Sequence, residues 1–213
     1  MTSVTDTRAG VAGIIFVTAA LVDAAMCGVR PDLTMGAPAL TQYFANQGSF
    51  INMAAVLSVA ITPAITWYLV RLVTRSQRAG QPTLAIAVTV LSAAGGALFI
   101  GSWCLFHAAS LLAPSGAPET VFGLVVASAL TSAQLAFCLG LLMLVVAVVV
   151  RRSSAFDPWY GSLGFLTAAV AVGTSAVSLT SLSRLSVHSY GLLAFLVWVS
   201  CGSVLFIRGR TTV

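Results

Sequence analysis

The sequence predicts an all-α, polytopic transmembrane bundle of six spans, and three observations carry that expectation. The chain of 213 residues is 59% hydrophobic and only 7% charged, whereas a water-exposed domain carries roughly 25% charged residues. Its mean hydropathy is +1.02. Apolar runs long enough to cross a bilayer as a helix, about 20 residues, recur six times, and the ten basic residues, all arginine, gather at their ends. A single integral membrane domain over residues 1–213, without soluble domains, is the architecture expected.

The first span, about 9–29, begins after Arg8 and stops at Arg30-Pro31-Asp32. Met1 to Thr7 reads as a polar tail before it. Inside the span sits Asp23, the one acidic residue expected within an apolar run. A carboxyl at that depth costs on the order of 2.5 kcal/mol or more, so it needs a partner, a water-filled cavity or a proton. Ala24-Ala25-Met26-Cys27 has some of the form of a lipoprotein cleavage box. Asp23 breaks the apolar core and Met26 is too large before the cysteine, so cleavage is not expected.

Residues 31–49 read as the longest connection, punctuated by Pro31, Gly36, Pro38 and Gly48. Within it, Pro38 to Asn46 predicts a short interfacial helix with Leu40, Tyr43 and Phe44 on one side. Span two, about 50–70, contains Pro63, which should kink it, and ends on Trp67 and Tyr68 at the level of an aromatic belt. Span three, about 83–113, is longer than a bilayer requires and should tilt or protrude. Its Ala93, Ala97 and Gly101, at spacing four, suit close helix contact. After a turn at Pro114–Pro118, span four covers about 120–150, with Gln134 expected to hydrogen-bond to a neighbouring helix. Span five, about 159–179, is kept slim by Gly161, Gly164, Ala168 and Gly173. Span six, about 187–207, closes the bundle.

The arginines predict orientation. With a cytoplasmic N-terminus, Arg8, Arg71, Arg75, Arg78, Arg151, Arg152, Arg208 and Arg210 fall on the cytoplasmic side and only Arg30 and Arg184 outside, eight against two. That asymmetry places both termini in the cytoplasm of a bacterium whose inner membrane holds the protein.

This topology collects distinctive polar residues in the outer half. Asp23 and His107 each lie two turns short of the outer end of their span, about 10 Å deep at 1.5 Å per residue. Cys104 and Ser110 flank His107 on one helical face. Thr174 and Ser178 should approach the same level from span five, Asn52 from span two, and Arg184 and His188 should cap that end. The candidate pocket is therefore Asp23, Asn52, Trp103, Cys104, His107, Thr174, Ser178, Arg184 and His188. The ordinary reading of Asp23 with His107 is a buried pair that fixes packing; the sharper one is a functional pocket centred on them, and a third keeps them apart, with Asp23 reaching the boundary beside Arg30, two turns away on one face. Trp103 reads first as a packing residue.

Several function classes are disfavoured. No basic cluster exceeds three residues, so nucleic acid is not an expected partner. The four cysteines occur singly, which argues against a disulfide framework or zinc site. Cys104 with His107 offers two ligands where a metal needs about four. Phosphate-binding loops, zinc-protease signatures and serine nucleophile elbows do not occur. No cofactor is expected, a single haem being a remote alternative.

Arg8-Ala9-Gly10-Val11-Ala12-Gly13 at the first span, Phe44-Ala45-Asn46-Gln47-Gly48-Ser49-Phe50 before the second, and the six-span plan together resemble the small bacterial integral membrane proteins of domain of unknown function 4386. The resemblance implies architecture and has no activity to transfer. The leading expectation is a non-enzymatic binding, transport-related or accessory protein with an outward-facing polar pocket. Its partners would be the lipid bilayer, a lipid or small hydrophobic ligand, and a membrane protein or second copy. A membrane-embedded enzyme or single-haem protein using Asp23 and His107 is one alternative, and a structural subunit of a membrane complex another.

Overall fold

Proline and glycine mark where the chain turns. Pro82, Pro118 and Pro158 each open a helix, where the missing N–H is one the helix leaves unused and the fixed φ is already helical. The computed structural model describes residues 4–27, 32–153 and 156–208. These form six long helices: α1 (Val4–Cys27), α2 (Gly36–Arg78), α3 (Pro82–Leu112), α4 (Pro118–Arg152), α5 (Pro158–Ser178) and α6 (His188–Arg208). Short 3-10 turns at Leu33–Met35, Ala113–Ser115 and Leu182–Val187 join some of them. All six helices are long and apolar enough to cross a membrane.

Their outer surface suits lipid. Val56 is 71% exposed, Val59 67%, Ile86 64% and Leu166 64%, side chains that water would penalise and hydrocarbon accepts. Gln134 belongs to this surface and makes no interhelical hydrogen bond among the described residues, unlike the expectation. Ala93 and Ala97 are exposed as well; the residue of α3 that meets α4 closely is Gly95, beside Leu139 and Leu135. On α5 the small residues act as expected at three of four positions. A Cβ at Gly161 would meet Val150, one at Gly164 would meet Ala147, and Ala168 is buried, whereas Gly173 faces open space.

The largest departure from the sequence reading is α2. Residues 36–49 are not a connection carrying a separate interfacial helix; they are the first part of one 43-residue helix that runs on through Pro63. At about 1.5 Å per residue such a helix is twice as long as the hydrocarbon core is thick. Leu40, Tyr43 and Phe44 do share a side, but that side turns inward, with Leu40 and Phe44 buried. Phe44 stacks edge-to-face on Phe106, ring centroids 4.9 Å apart, while Asn52 accepts a hydrogen bond from Ser110 of the same helix at 3.0 Å. An antiparallel neighbour would meet α3 in the opposite order. The start of α2 therefore lies across the end of α3 rather than alongside it. Its other end is closed by a Schellman motif: Gly80, at φ +73°, donates to the Gln77 carbonyl and Gln81 to that of Ser76.

Helices alternate in direction, so the start of α1 and the end of α6 lie together. Gly10 packs against the backbone of Ser203 and Ile207 so closely that a Cβ would overlap both. At this terminal end Asp6 accepts hydrogen bonds from Arg71 at 2.6 Å and Arg75 at 3.1 Å. Asp6 is thus no part of a free tail; it lies in α1 and is buried. Beneath the pair, Tyr160 stacks on Trp198 at 5.4 Å, and the Arg75 guanidinium lies 5.1 Å from the Phe156 ring centre and 5.0 Å from that of Phe206. The opposite, far end is framed by Cys27, Leu40, Phe44, Phe106 and Val121.

Candidate functional site

A cavity of about 770 Å³ occupies the bundle from mid-depth to the far end, a size that suits a small organic molecule or a lipid segment. Helices α1, α2, α3, α4 and α6 supply its walls; α5 supplies none. The walls are chiefly apolar, and their aromatic part is a row of rings in edge-to-face contact. Tyr43 meets Phe44 at 5.2 Å, Phe44 meets Phe106 at 4.9 Å, and Phe106 meets Trp103 at 5.8 Å. The inward side of the first part of α2 thus forms a wall of the cavity. The Tyr43 hydroxyl donates to the carbonyl of Cys27 at 2.5 Å, tying that wall to the end of α1.

Polar groups punctuate this surface. Asp23 is buried at the wall and accepts a hydrogen bond from Ser58 of α2 at 3.2 Å. Across the cavity, three serines bridge α3 and α4. Ser102 donates to the Ser128 carbonyl at 3.2 Å, Ser128 donates to the Ser102 carbonyl at 2.9 Å, and Ser132 meets the Ser102 hydroxyl. His188, buried at the start of α6, sets its Nδ1 against the Leu185 carbonyl. Asp32, exposed at the rim, caps the first 3-10 turn by accepting from the Thr34 N–H at 2.9 Å.

The exposed residues of the rim fall into two groups. Asp32, Leu182 and Ser186 belong to the connections; Leu21, Ala24 and Leu193 belong to α1 and α6 within their apolar spans. The exposed lining therefore includes both residues of the connections and residues of the long apolar helices.

Of the nine residues the sequence singled out, Asp23, Trp103 and His188 line the cavity. The others do not. Asn52 accepts from Ser110 between α2 and α3. Cys104 and Arg184 are exposed. Thr174 and Ser178 bond back to the carbonyls of Val170 and Thr174 on their own helix, at 2.8 and 2.9 Å. Such i−4 bonds satisfy a hydroxyl without any partner helix. His107 is half-buried away from the cavity, its Nδ1 buried and without a hydrogen-bond partner among the described residues. No hydrogen bond or ion pair joins it to Asp23; the expected pairing is replaced by Asp23 with Ser58. Helix α1 packs against α2 and α6, and α3 against α2 and α4, so the two side chains meet different neighbours. Arg30 and Arg210 lie outside the described residues.

Sequence reasoning missed the serine bridge and the aromatic row. Ser102, Ser128 and Ser132 are common residues in any span, and nothing in their spacing distinguishes a cavity from a packing contact. The row had a signal, Leu40-Tyr43-Phe44 at helical spacing, attributed to the interface. No known family profile, curated protein or solved structure matches the chain.

Proposed function

We propose that the protein is a non-enzymatic, multi-pass membrane protein that binds a lipid or other small amphiphile in the far-end cavity. The observation that carries this reading is a cavity of about 770 Å³ whose rim includes both connection residues and span residues of α1 and α6. An amphiphile held there keeps its apolar body against aromatic walls and reaches polar groups at one end. The separation of Asp23 from His107 weighs against an embedded enzyme or haem protein built on those two residues.

The arginine asymmetry supports a bacterial inner membrane with both termini cytoplasmic, so that the cavity faces outward. Kinship with the domain of unknown function 4386 proteins is part of the proposal and rests on the motifs of the first two spans. Exposed Ala93 and Ala97 on α3 favour a second reading, a subunit that packs against another membrane protein.

Binding of the neutral fluorophore N-phenyl-1-naphthylamine to detergent-purified protein tests the cavity. Saturable binding that Ala129→Phe abolishes and Ala93→Phe leaves intact is expected, because Ala129 lines the cavity and Ala93 does not. Binding that survives Ala129→Phe refutes the site. For orientation, single cysteines at Gln77 and Ser115, both exposed, go into a background lacking the native four. Ser115→Cys should be labelled in intact cells and Gln77→Cys only after permeabilisation; the reverse pattern refutes the orientation.

A further inference from the structure

We infer that the exposed strip of α4 is the contact between two copies of this chain in the membrane, with the Gln134 side chains of the two copies hydrogen-bonded to each other at its centre. The inference rests on the membrane placement proposed above and not on the cavity.

Helix α4 is covered on most sides by its neighbours. Between Val121 and Val150 its exposed residues are Gly123, Leu130, Gln134, Phe137 and Leu144. Half-buried Ala127 and Leu141 fill the two wider gaps in this series. The resulting positions alternate in steps of four and three, which is the seam of a two-helix coiled coil. From Gly123 to Leu144 the strip is about 30 Å long at 1.5 Å per residue, the thickness of the hydrocarbon core. Arg151, two steps further along the same series, donates to Ser162 of α5 at 2.9 Å, which draws its charge aside.

Gln134 is the middle position of the strip and stands near the middle of α4. Hydroxyls along the spans satisfy themselves: Thr66, Thr89 and Thr131 each donate to the carbonyl four residues back. The Gln134 amide makes no side-chain hydrogen bond among the described residues. An amide in hydrocarbon without a partner is costly, and its short side chain does not reach water from mid-span.

Position and chemistry select a second copy as the partner. Copies of one chain insert the same way round, so a two-fold axis between them runs along the membrane normal. Each residue then lies at the depth of its own counterpart, and a residue on the seam meets itself. A carboxamide is self-complementary, carrying two N–H donors and a carbonyl acceptor, so the paired Gln134 side chains satisfy each other. A charged side chain there would repel its copy. Apolar faces gain little by leaving lipid for each other, and the amide pair supplies both attraction and register.

The test follows energy transfer between full chains carrying donor or acceptor fluorescent proteins at the C-terminus, in lipid vesicles, as the protein is diluted with lipid. Transfer that excess unlabelled chain abolishes is expected. Gln134→Leu should raise the apparent dissociation constant about fivefold or more, and Gln134→Asn by less. Phe137→Ala, on the strip, should also weaken pairing, while Leu166→Ala, 64% exposed on α5, should not. Helical circular dichroism checks that each variant is folded; should Gln134→Leu fail, Phe137→Ala decides. Transfer no greater than that of an unrelated membrane protein at the same density overturns the inference. So does transfer that survives Gln134→Leu and Phe137→Ala, or that Leu166→Ala lowers as much. A chain monomeric in vesicles but cross-linked through Leu130→Cys to a different protein in native membranes overturns it as well. Dye binding by a monomeric chain leaves the cavity reading standing, and pairing without dye binding removes the cavity reading alone. Release of the chain from membranes by alkaline carbonate removes the membrane placement and this inference together.

Discussion

The two ends of the bundle solve the problem of polar residues in a membrane in opposite ways. At the terminal end, the buried charges and the tyrosine hydroxyls are each brought against a polar partner, and the helices around them pack closely. Asp6 holds Arg71 and Arg75, the Arg75 guanidinium lies against Phe156 and Phe206, and the hydroxyls of Tyr68 and Tyr160 meet at 3.1 Å in the groove left by Gly202. At the far end, aromatic rings and a buried carboxylate border a cavity instead. Close packing is what a helix bundle in lipid uses for stability, because apolar side chains gain little by leaving hydrocarbon for each other. A region that forgoes it gives up dispersion contacts. The filled end is thus the anchor of the fold, and the hollow end is where stability has been traded for space.

Substitutions should expose this difference, beginning with Gly202. A Cβ there would overlap the hydroxyls of both Tyr68 and Tyr160, which are fully buried rings with no room to retreat. Gly202→Val should cost about 3 kcal/mol or more, or prevent folding, measured as unfolding free energy in mixed micelles. Gly173→Ala, on a helix surface with nothing within 4 Å, should be neutral or slightly stabilising. Equal effects at the two positions would deny that the terminal end is the tighter one.

Loss of Asp6 comes next. Its removal leaves Arg75, 6% exposed, as a buried charge whose carboxylate is gone. Breaking such a pair from one side costs about 3 kcal/mol, with stacking on two rings softening the loss. Asp6→Ala should therefore destabilise strongly and Asp6→Glu much less. A variant as stable as the parent would show that Arg75 reaches water or lipid headgroups instead.

A matched pair of phenylalanines gives the most direct comparison. Phe206 and Phe44 are both essentially buried, at 0% and 1% exposure. Phe206→Ala opens a new void in filled space and should cost about 4 kcal/mol. Phe44→Ala enlarges a cavity already present, so fewer contacts are lost, and about 2 kcal/mol is expected. Similar costs would mean the far end is as tightly determined as the other.

How far the sequence reveals this depends on what each feature needs. Helix number and span limits follow from hydropathy and proline placement, and five of the six helices match the expected limits within a few residues. The exceptions are instructive. The polar residues of 36–49 break an apolar run without breaking a helix, so hydropathy marks where lipid ends and not where α2 begins. Asp6 sits among polar neighbours, and its partners are about 65 residues away in sequence, at Arg71 and Arg75; linear pattern cannot connect them. Which helices border a cavity, and which face each turns to it, are not legible: α5 supplies none of the wall, which leaves out Thr174 and Ser178, while α3 presents Trp103 to it and not His107.

The smallest effect tests that last point. Asp23 receives its hydrogen bond from Ser58 at 3.2 Å, on the neighbouring α2, and none from His107. In a double-mutant cycle, residues that share an interaction show a coupling energy, while residues without one add. Asp23→Ala with Ser58→Ala should therefore cost less together than the sum of the single changes, by about 0.5 to 1 kcal/mol. The modest size reflects a membrane-embedded reference state in which both groups find other partners. Asp23→Ala with His107→Ala should add within about 0.3 kcal/mol, the scatter of independent sites. Coupling between Asp23 and His107 above that with Ser58 would reverse the assignment. It would require α1 and α3 to pack against each other, whereas α1 lies beside α2 and α6, and α3 beside α2 and α4.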